Sequence, residues 1–231
     1  MAVFWPILVN SHNKKGQENM RIALINENSQ AAKNELVCNT LKSVVEPLGH
    51  EVINIGMLDA SDKSLTYVQN GILAGILLGE GIVDFVVTGC GTGSGAMLAC
   101  NSFPHVLCGL IVDPSDAYMF GQINDGNCIA MPFAKGFGWG AELNLKYCFQ
   151  NLFTGERGMG YPVERREPEQ RNKKILDAVK EVTYRPLIDI LKDIDQELLL
   201  GAVDRPTFKD VYFKNAKDTQ VKAYLAKLLN I

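Results

Sequence analysis

The stretch Val87-Thr88-Gly89-Cys90-Gly91-Thr92-Gly93-Ser94-Gly95-Ala96 decides how the rest of the chain is interpreted. It follows an apolar run over residues 82–87 and leads into a segment of small residues that reaches Ala99 and can start a helix. This pattern predicts that the glycines lie at the carboxyl end of a strand, which is where open α/β sheets place their ligands. Alternating glycines are typical of backbone that turns with positive φ or closely approaches a ligand.

Strands and helices are predicted to alternate on both sides of this glycine-rich loop. The apolar runs that predict strands cover residues 22–25, 52–55, 82–87, 106–112 and 128–133. Helices are predicted over residues 31–48, 65–79, 115–122 and 140–153, in addition to the segment after the loop. This spacing implies an α/β fold with a five-stranded parallel sheet covered by helices.

The composition divides the chain into three parts. Residues 1–19 are interpreted as an appendage, because the first convincing strand directly follows Met20-Arg21. Residues 20–155 form the predicted α/β core. Residues 156–231 form a turn-rich arm followed by charged helices that Pro186 and Pro206 interrupt. The arm is distinguished by its arginines, since none occurs between Arg21 and Arg157.

Charge and cysteine usage restrict the partners. The 231 residues carry a formal net charge of −3, which argues against nucleic acid or an anionic membrane surface as the main partner. No run is long and apolar enough to span a bilayer, and the first residues are a poor fit to a signal peptide. Six cysteines without a C-x-x-C pair favour a reducing cytoplasm. The expected partner is a small molecule or another copy of the chain.

The glycine-rich loop allows three interpretations. A Walker phosphate loop fails, because Gly95 is followed by Ala96-Met97 where Lys and Ser or Thr are required. A dinucleotide fingerprint is weak, since the spacing is not G-x-G-x-x-G and the loop follows the third strand. In the third interpretation, Cys90 is a thiolate base and the loop amides stabilise the enediolate that forms when a proton leaves carbon. An isolated cysteine is more often a buried small hydrophobe, but its place inside this loop favours the base.

Other polar residues are candidates for substrate binding. Asn26-Glu27-Asn28, Tyr67 and Asn124-Asp125 each fall beside the predicted carboxyl end of a strand, so we expect them to converge on one crevice. Taken singly, each is more often a cap or turn residue. The three histidines lack ligand spacing, and we expect neither a metal site nor a cofactor. The arginines of the arm are either a solvated charged face or a clamp for an anionic substrate, which we favour.

The motif Cys90-Gly91-Thr92-Gly93-Ser94-Gly95, followed by Ala99-Cys100-Asn101, resembles the ribose-5-phosphate isomerase B and galactose-6-phosphate isomerase family. The resemblance covers about residues 21–166. It implies a Rossmann-like three-layer sandwich with a five-stranded parallel sheet, to which this chain adds a C-terminal helical extension. It also implies aldose–ketose isomerisation through an enediolate without a metal, in a homodimer or dimer of dimers whose partner subunit contributes arginines to the site.

The resemblance gives each candidate residue a role. Cys90 takes the position of the base, and Thr92 relays the proton between the two oxygens. The anion hole is formed by the loop. The expected substrate-binding residues are Glu27, Asn28, Tyr67, Gly91, Gly93, Ser94, Gly95, Asn124, Arg157, Arg165 and Arg166.

Departures from the family pattern narrow the range of expected substrates. The family's Asp-His after the first strand is Glu27-Asn28 here, and its histidine before Asn124 is Ile123. That histidine opens a furanose ring in the family, so a cyclic pentose phosphate is disfavoured. The C-terminal extension resembles a branch that isomerises 4-deoxy-5-hexosulose uronates. We therefore predict a sugar ketol-isomerase acting on a sugar phosphate or an acidic open-chain sugar. The alternative is a non-catalytic module that binds a sugar phosphate or a nucleotide.

Overall fold

A computed structural model describes residues 19–231, so residues 1–18 of the predicted appendage lie outside the described part. The five strands are all parallel and are arranged in the order β2-β1-β3-β5-β4. They are β1 (Arg21–Ile25), β2 (Glu51–Asn54), β3 (Phe85–Cys90), β4 (Cys108–Leu110) and β5 (Cys128–Pro132). The predicted five-stranded parallel sheet is confirmed.

Ten α-helices surround this sheet in the part of the chain that the structure describes. They are α1 (Asn34–Val45), α2 (Tyr67–Gly79), α3 (Ser94–Cys100), α4 (Pro114–Met119), α5 (Ala141–Phe153), α6 (Arg166–Thr183), α7 (Leu187–Asp193), α8 (Gln196–Val203), α9 (Pro206–Asn215) and α10 (Gln220–Leu229). Buried residues of α1, α4 and α5 cover one face of the sheet. The other face carries α2 and α3, with α7 to α10 packed on the same apolar core. The three-layer sandwich and the C-terminal helical extension are therefore confirmed.

Alternation along the central strands supplies both halves of the core. In β1, Ile22 and Leu24 face the layer of α1 and α5, whereas Ala23 and Ile25 face the layer of α2 and α3. In β3, Val86 and Cys90 belong to the α2 and α3 side. Because successive strand residues point to opposite faces, Thr88 shares that side with Cys90.

Glycines let α2 lie directly against α3. A Cβ atom on Gly71 would stand 2.6 Å from the backbone carbonyl of Ala99, and one on Gly75 would stand 2.6 Å from the Phe103 ring. The two glycines are one helical turn apart and so share one face of α2. Their close approach positions the helix that the glycine-rich loop begins.

Several predicted boundaries were wrong. The third strand ends at Cys90 and not at residue 87, because polar and small residues continue to pair with β5 as far as Cys90 and Pro132. The fourth strand shrinks from residues 106–112 to Cys108–Leu110, at the edge of the sheet, where only β5 pairs with it. The fourth helix ends at Met119, and a π-helical turn continues it through Phe120–Asn124.

The C-terminal extension is fixed to the core by a buried arginine. Arg205 Nη2 donates to the Lys63 carbonyl over 2.9 Å and lies 3.3 Å from an Asp62 carboxylate oxygen. Nearby, Thr207 Oγ1 donates to the Ile55 carbonyl over 2.9 Å. The loop between β2 and α2 is therefore held from outside by the extension.

Across residues 19–231, none of the helices combines the length and the apolar character needed to cross a membrane.

Candidate functional site

Cys90 is the last residue of β3 and lies at the carboxyl edge of the sheet, with 7% of its surface exposed. Its carbonyl accepts a hydrogen bond from Phe133 N over 2.9 Å. The Gly91 carbonyl accepts two more, from Ala134 N at 3.1 Å and Lys135 N at 2.8 Å. The strand end and the start of the loop are thus fixed by the segment that follows β5.

Different structural features explain why glycine occupies each position of the loop. Gly93 has φ of +77°, and a Cβ atom there would meet Leu110 Cδ1 at 2.5 Å and the Met131 carbonyl carbon at 2.9 Å. A Cβ atom on Gly95 would stand 3.3 Å from the Tyr67 ring, so this ring lies over the start of α3. Thr92 is exposed and Ser94 is partly exposed. The structure therefore brings Tyr67, Thr92 and the glycines together at one edge.

The loop after β1 lies at the same edge. Glu27 is buried, and its carboxylate accepts hydrogen bonds from Ser29 N at 2.9 Å and Ser29 Oγ at 2.6 Å. Asn28 is exposed, and its Nδ2 donates to Ser64 Oγ over 3.0 Å. Glu27 thus caps the turn that follows it, whereas Asn28 presents its side chain at the surface beside the loop that precedes α2.

A buried polar network below the loop was missed by sequence reasoning. Asn70 Nδ2 donates to the Ile25 carbonyl and to Thr88 Oγ1, both over 3.1 Å, and Thr88 Oγ1 donates to the same carbonyl over 2.6 Å. These bonds join α2 to the ends of β1 and β3, two residues before Cys90. The available signal was an asparagine in the otherwise apolar run of α2.

A lysine at the carboxyl edge was also missed. Lys33 Nζ donates to Gln30 Oε1 over 2.8 Å and to the Phe133 carbonyl, and it lies 4.5 Å from the centre of the Phe137 ring. Gln30 lies close to Gly91, with its Nε2 at 4.0 Å from the position of an added Cβ atom. The sequence pattern that indicated cations was the cluster of arginines in the arm, and Lys33 lies outside it.

Asn124-Asp125 lie at the opposite, amino edge of the sheet. Asp125 forms an ion pair of 3.3 Å with Arg157, whose guanidinium lies 4.9 Å from the centre of the Phe85 ring. Phe85 begins β3 and Cys90 ends it, so the two edges are about 16 Å apart at roughly 3.3 Å per residue. The prediction that Asn124-Asp125 share one crevice with Tyr67 within a single chain was wrong, because the connection from α4 enters β5 at its amino end.

The arginines of the arm differ in how many contacts they make with other residues of the chain. Arg157 is 14% exposed, and it donates to the Gly126 carbonyl as well as pairing with Asp125. Burial lowers its pKa, and the Asp125 carboxylate opposes that shift. Arg166 Nε donates to the Met159 carbonyl over 2.8 Å. Arg165 is exposed, and none of the described residues forms an ion pair with it.

Neither described histidine lies at the carboxyl edge. His50 is buried at the start of β2, its Nδ1 accepts from Met20 N over 3.1 Å, and burial lowers its pKa. His105 lines a cavity at the amino edge together with Asp125 and Asn127. His12 lies outside the described residues. Within one chain, neither of these histidines is placed to transfer a proton at the glycine-rich loop.

Comparison with known proteins identifies close relatives of this chain. A family model described as ribose/galactose isomerase matches residues 22–152, and another described as ribose-5-phosphate isomerase matches residues 182–228. A solved 4-deoxy-L-threo-5-hexosulose-uronate ketol-isomerase in complex with a tartrate is 54% identical, with a TM-score of 0.89. A ribose-5-phosphate isomerase from Vibrio parahaemolyticus is 50% identical, also with a TM-score of 0.89. Each alignment covers 92% of this chain and 100% of the relative.

More distant relatives share the fold. The type B ribose 5-phosphate isomerase of Leishmania infantum is 19% identical, with a TM-score of 0.59 over 72% of this chain and 100% of its own. No curated protein matches the chain.

The different environments of two loop glycines lead to a testable prediction. Gly93→Ala should lower the free energy of unfolding by about 1–3 kcal/mol, because the added methyl group meets backbone of β5 and the residue must keep a positive φ. Gly91→Ala is the matched control, since its nearest neighbours stand 3.8 Å or more from the added atom. Urea unfolding of both variants measures the difference. Equal stability of the two variants would contradict the described loop geometry.

Proposed function

The chain belongs to the ribose/galactose isomerase family, and we propose that it isomerises an acidic open-chain sugar with Cys90 as the base. Family membership makes it a sugar aldose–ketose isomerase, which confirms the predicted enzyme. The identity of the base, the substrate and the assembly are the parts that we propose.

The observation that carries the proposal is the position of Cys90. Cys90 is the last residue of β3, and its thiol is the ionisable group of the glycine-rich stretch. The nearby Glu27 is a weaker candidate, because both oxygens of its carboxylate already accept hydrogen bonds from Ser29. A base must reach the proton that it removes. Cys90 lies at the carboxyl edge of the sheet, which is where α/β folds of this kind bind their ligands.

The proposed reaction moves one proton between neighbouring carbons. The Cys90 thiolate takes the proton from the carbon next to the aldehyde, and the electron pair of that C–H bond forms the enediolate. Amides of the loop stabilise the negative oxygen. The Thr92 hydroxyl moves a proton from one oxygen to the other, and the Cys90 thiol returns its proton to the former aldehyde carbon. The product is a ketose, and the thiolate is restored.

Two observations support the proposed substrate: the ring-opening histidine of the family is missing, and a relative is named for an acidic open-chain sugar. Ile123 stands where the family carries its ring-opening histidine. A sugar that is already open needs no ring-opening acid. The relative that is 54% identical is named for a hexosulose uronate, a substrate of this kind. Its carboxylate needs a cationic clamp, and arginine supplies one in bidentate form.

The distance between the sheet edges supports a site shared by two copies. Arg165 and Arg166 belong to the arm, and the arm is anchored at the amino edge by bonds from Gly158 N and Gly160 N to the π-helical turn. An arginine from this edge does not reach Cys90 of its own chain, about 16 Å away at roughly 3.3 Å per strand residue. We propose that the clamp at each site comes from the arm of a second copy.

Exposed apolar side chains are available for that contact. On α6, Ile175, Val179 and Val182 form one stripe and are 47–83% exposed. Beside Tyr67, a groove is bordered by Leu98, which is 65% exposed. Patches of this kind mark protein interfaces.

All six cysteines are unpaired, which supports the proposed cytoplasmic location.

The first prediction of this proposal concerns the substrate. With pentose phosphates, hexose phosphates and 4-deoxy-5-hexosulose uronates offered at equal concentration, we expect the highest kcat/KM for the uronates. Initial rates of aldose–ketose conversion by NMR measure it. A higher kcat/KM for a pentose phosphate would overturn the substrate proposal and leave the isomerase assignment intact.

The second prediction concerns the base. Cys90→Ala should lower kcat by roughly 10²- to 10⁴-fold, the usual contribution of a positioned base. It should also abolish deuterium incorporation from solvent at the carbon next to the carbonyl. Cys148→Ala is the matched control, because Cys148 is buried in the core away from the loop and should be dispensable for exchange. Full exchange in Cys90→Ala would refute the base assignment.

The third prediction concerns the shared site. Arg165→Ala and Cys90→Ala should each be impaired alone, whereas refolding an equal mixture should restore about a quarter of wild-type activity, since half of the dimers are mixed and each has one intact site. If each site were built from one chain, mixing would restore nothing. Arg171→Ala, another exposed arginine, is the control for charge removal and should retain activity.

A further inference from the structure

Three buried cysteines meet in the core away from the glycine-rich loop. Cys100 ends α3, Cys108 begins β4 and Cys128 begins β5. Their sulfur atoms all lie within 4.8 Å of one another. The three side chains are 0%, 6% and 0% exposed, and none is in a disulfide. The proposed isomerase mechanism makes no use of them.

The backbone holds these cysteines in place. Cys108 and Cys128 are register partners on neighbouring parallel strands, so their side chains leave the same face of the sheet. The side chain of Asn101 brackets Cys108, donating from Nδ2 to its carbonyl over 2.8 Å and accepting at Oδ1 from its amide over 2.9 Å. Because Asn101 directly follows Cys100, these two bonds also fix Cys100 beside Cys108.

We propose that Cys100, Cys108 and Cys128 form a binding site for a monovalent copper ion. The donor set is three sulfur atoms, and soft thiolate ligands select soft ions such as Cu(I). Zinc is almost always four-coordinate in structural protein sites, and the described cluster offers three ligands. With metal–sulfur distances of about 2.3 Å, the sulfurs of a trigonal site stand about 4.0 Å apart, so a shift of under about 1 Å closes the site.

Binding displaces thiol protons to solvent. Hydrogen bonds from the Cys108 and Cys128 thiols lower the pKa of Cys100, whereas burial and the neighbouring Cys100 raise the pKa of Cys128. The thiols lose their protons as the copper–sulfur bonds form. Since metal and protons compete for the same sulfurs, copper should bind more tightly as the pH rises.

The bound ion would join α3 to the edge strand β4 and to β5. A ligand that binds only the folded chain stabilises it, so Tm should rise by about 5–10 °C at a hundredfold excess of free copper over Kd.

The test is a titration of the reduced protein with Cu(I), under anaerobic conditions and in competition with a chromophoric Cu(I) chelator. We expect one tightly bound copper per chain in the wild type and a loss of at least tenfold in affinity in Cys128→Ala. Cys148→Ala is the matched control, because both residues are fully buried cysteines in the core. It should bind like the wild type, and so should Cys90→Ala.

A measurement on the wild type keeps the proposal testable if Cys128→Ala does not fold. X-ray absorption of the copper-loaded protein should show three sulfur neighbours at about 2.3 Å, the usual metal–thiolate distance. Absence of tight binding in the wild type would overturn the proposal. So would a copper bound mainly through nitrogen or oxygen, or a folded Cys128→Ala variant with unchanged affinity.

Discussion

The close approach of backbone around α3 is the constraint on which the candidate site depends. Gly71 and Gly75 allow α2 to touch α3, and Gly93 allows the loop to touch β5. At these positions a methyl group would meet main-chain or ring atoms at 2.6–2.9 Å, so side chains are excluded by packing and not merely by turn geometry. The loop is therefore held between two layers before any ligand arrives. Such rigidity is what a site for proton transfer needs, because catalytic groups must keep their positions to be effective.

The sequence predicts the layers well because their signals are local. The continuous apolar run of β1 and the helical run of α2 each reveal an element without knowledge of its neighbours. The end of β3 was misplaced because Thr88 and Gly89 do not look like strand residues in isolation. They belong to the strand because Asn70 satisfies the threonine hydroxyl and Met131 and Phe133 leave no room beside the glycine. Both reasons come from residues far away in the sequence.

The candidate site was predicted in part for the same reason. Cys90, Tyr67 and Asn28 lie at one edge as expected, since Cys90 ends β3, Asn28 follows the end of β1 and Tyr67 begins the helix that follows β2. Asn124 was placed at the wrong edge because a residue between a helix and a strand can be assigned to either end from sequence alone. Contacts such as Lys33 with the Phe133 carbonyl join residues 100 positions apart, and no spacing rule reveals them. The cysteine cluster escaped notice likewise, because its ligands come from three separate elements and lack a recognisable motif.

The proposed shared site separates the group that transfers the proton from the group that binds the substrate's anion. In the proposed shared site, proton transfer depends on the loop after β3, which the core holds rigidly. The substrate's anion depends on the arm of another copy, which is anchored by a few bonds to one turn. Changes in the arm can then alter the accepted sugar without disturbing the base. Two relatives of 54% and 50% identity, with equal structural similarity to this chain, carry names for different sugars. A conserved reaction with a variable clamp accommodates both.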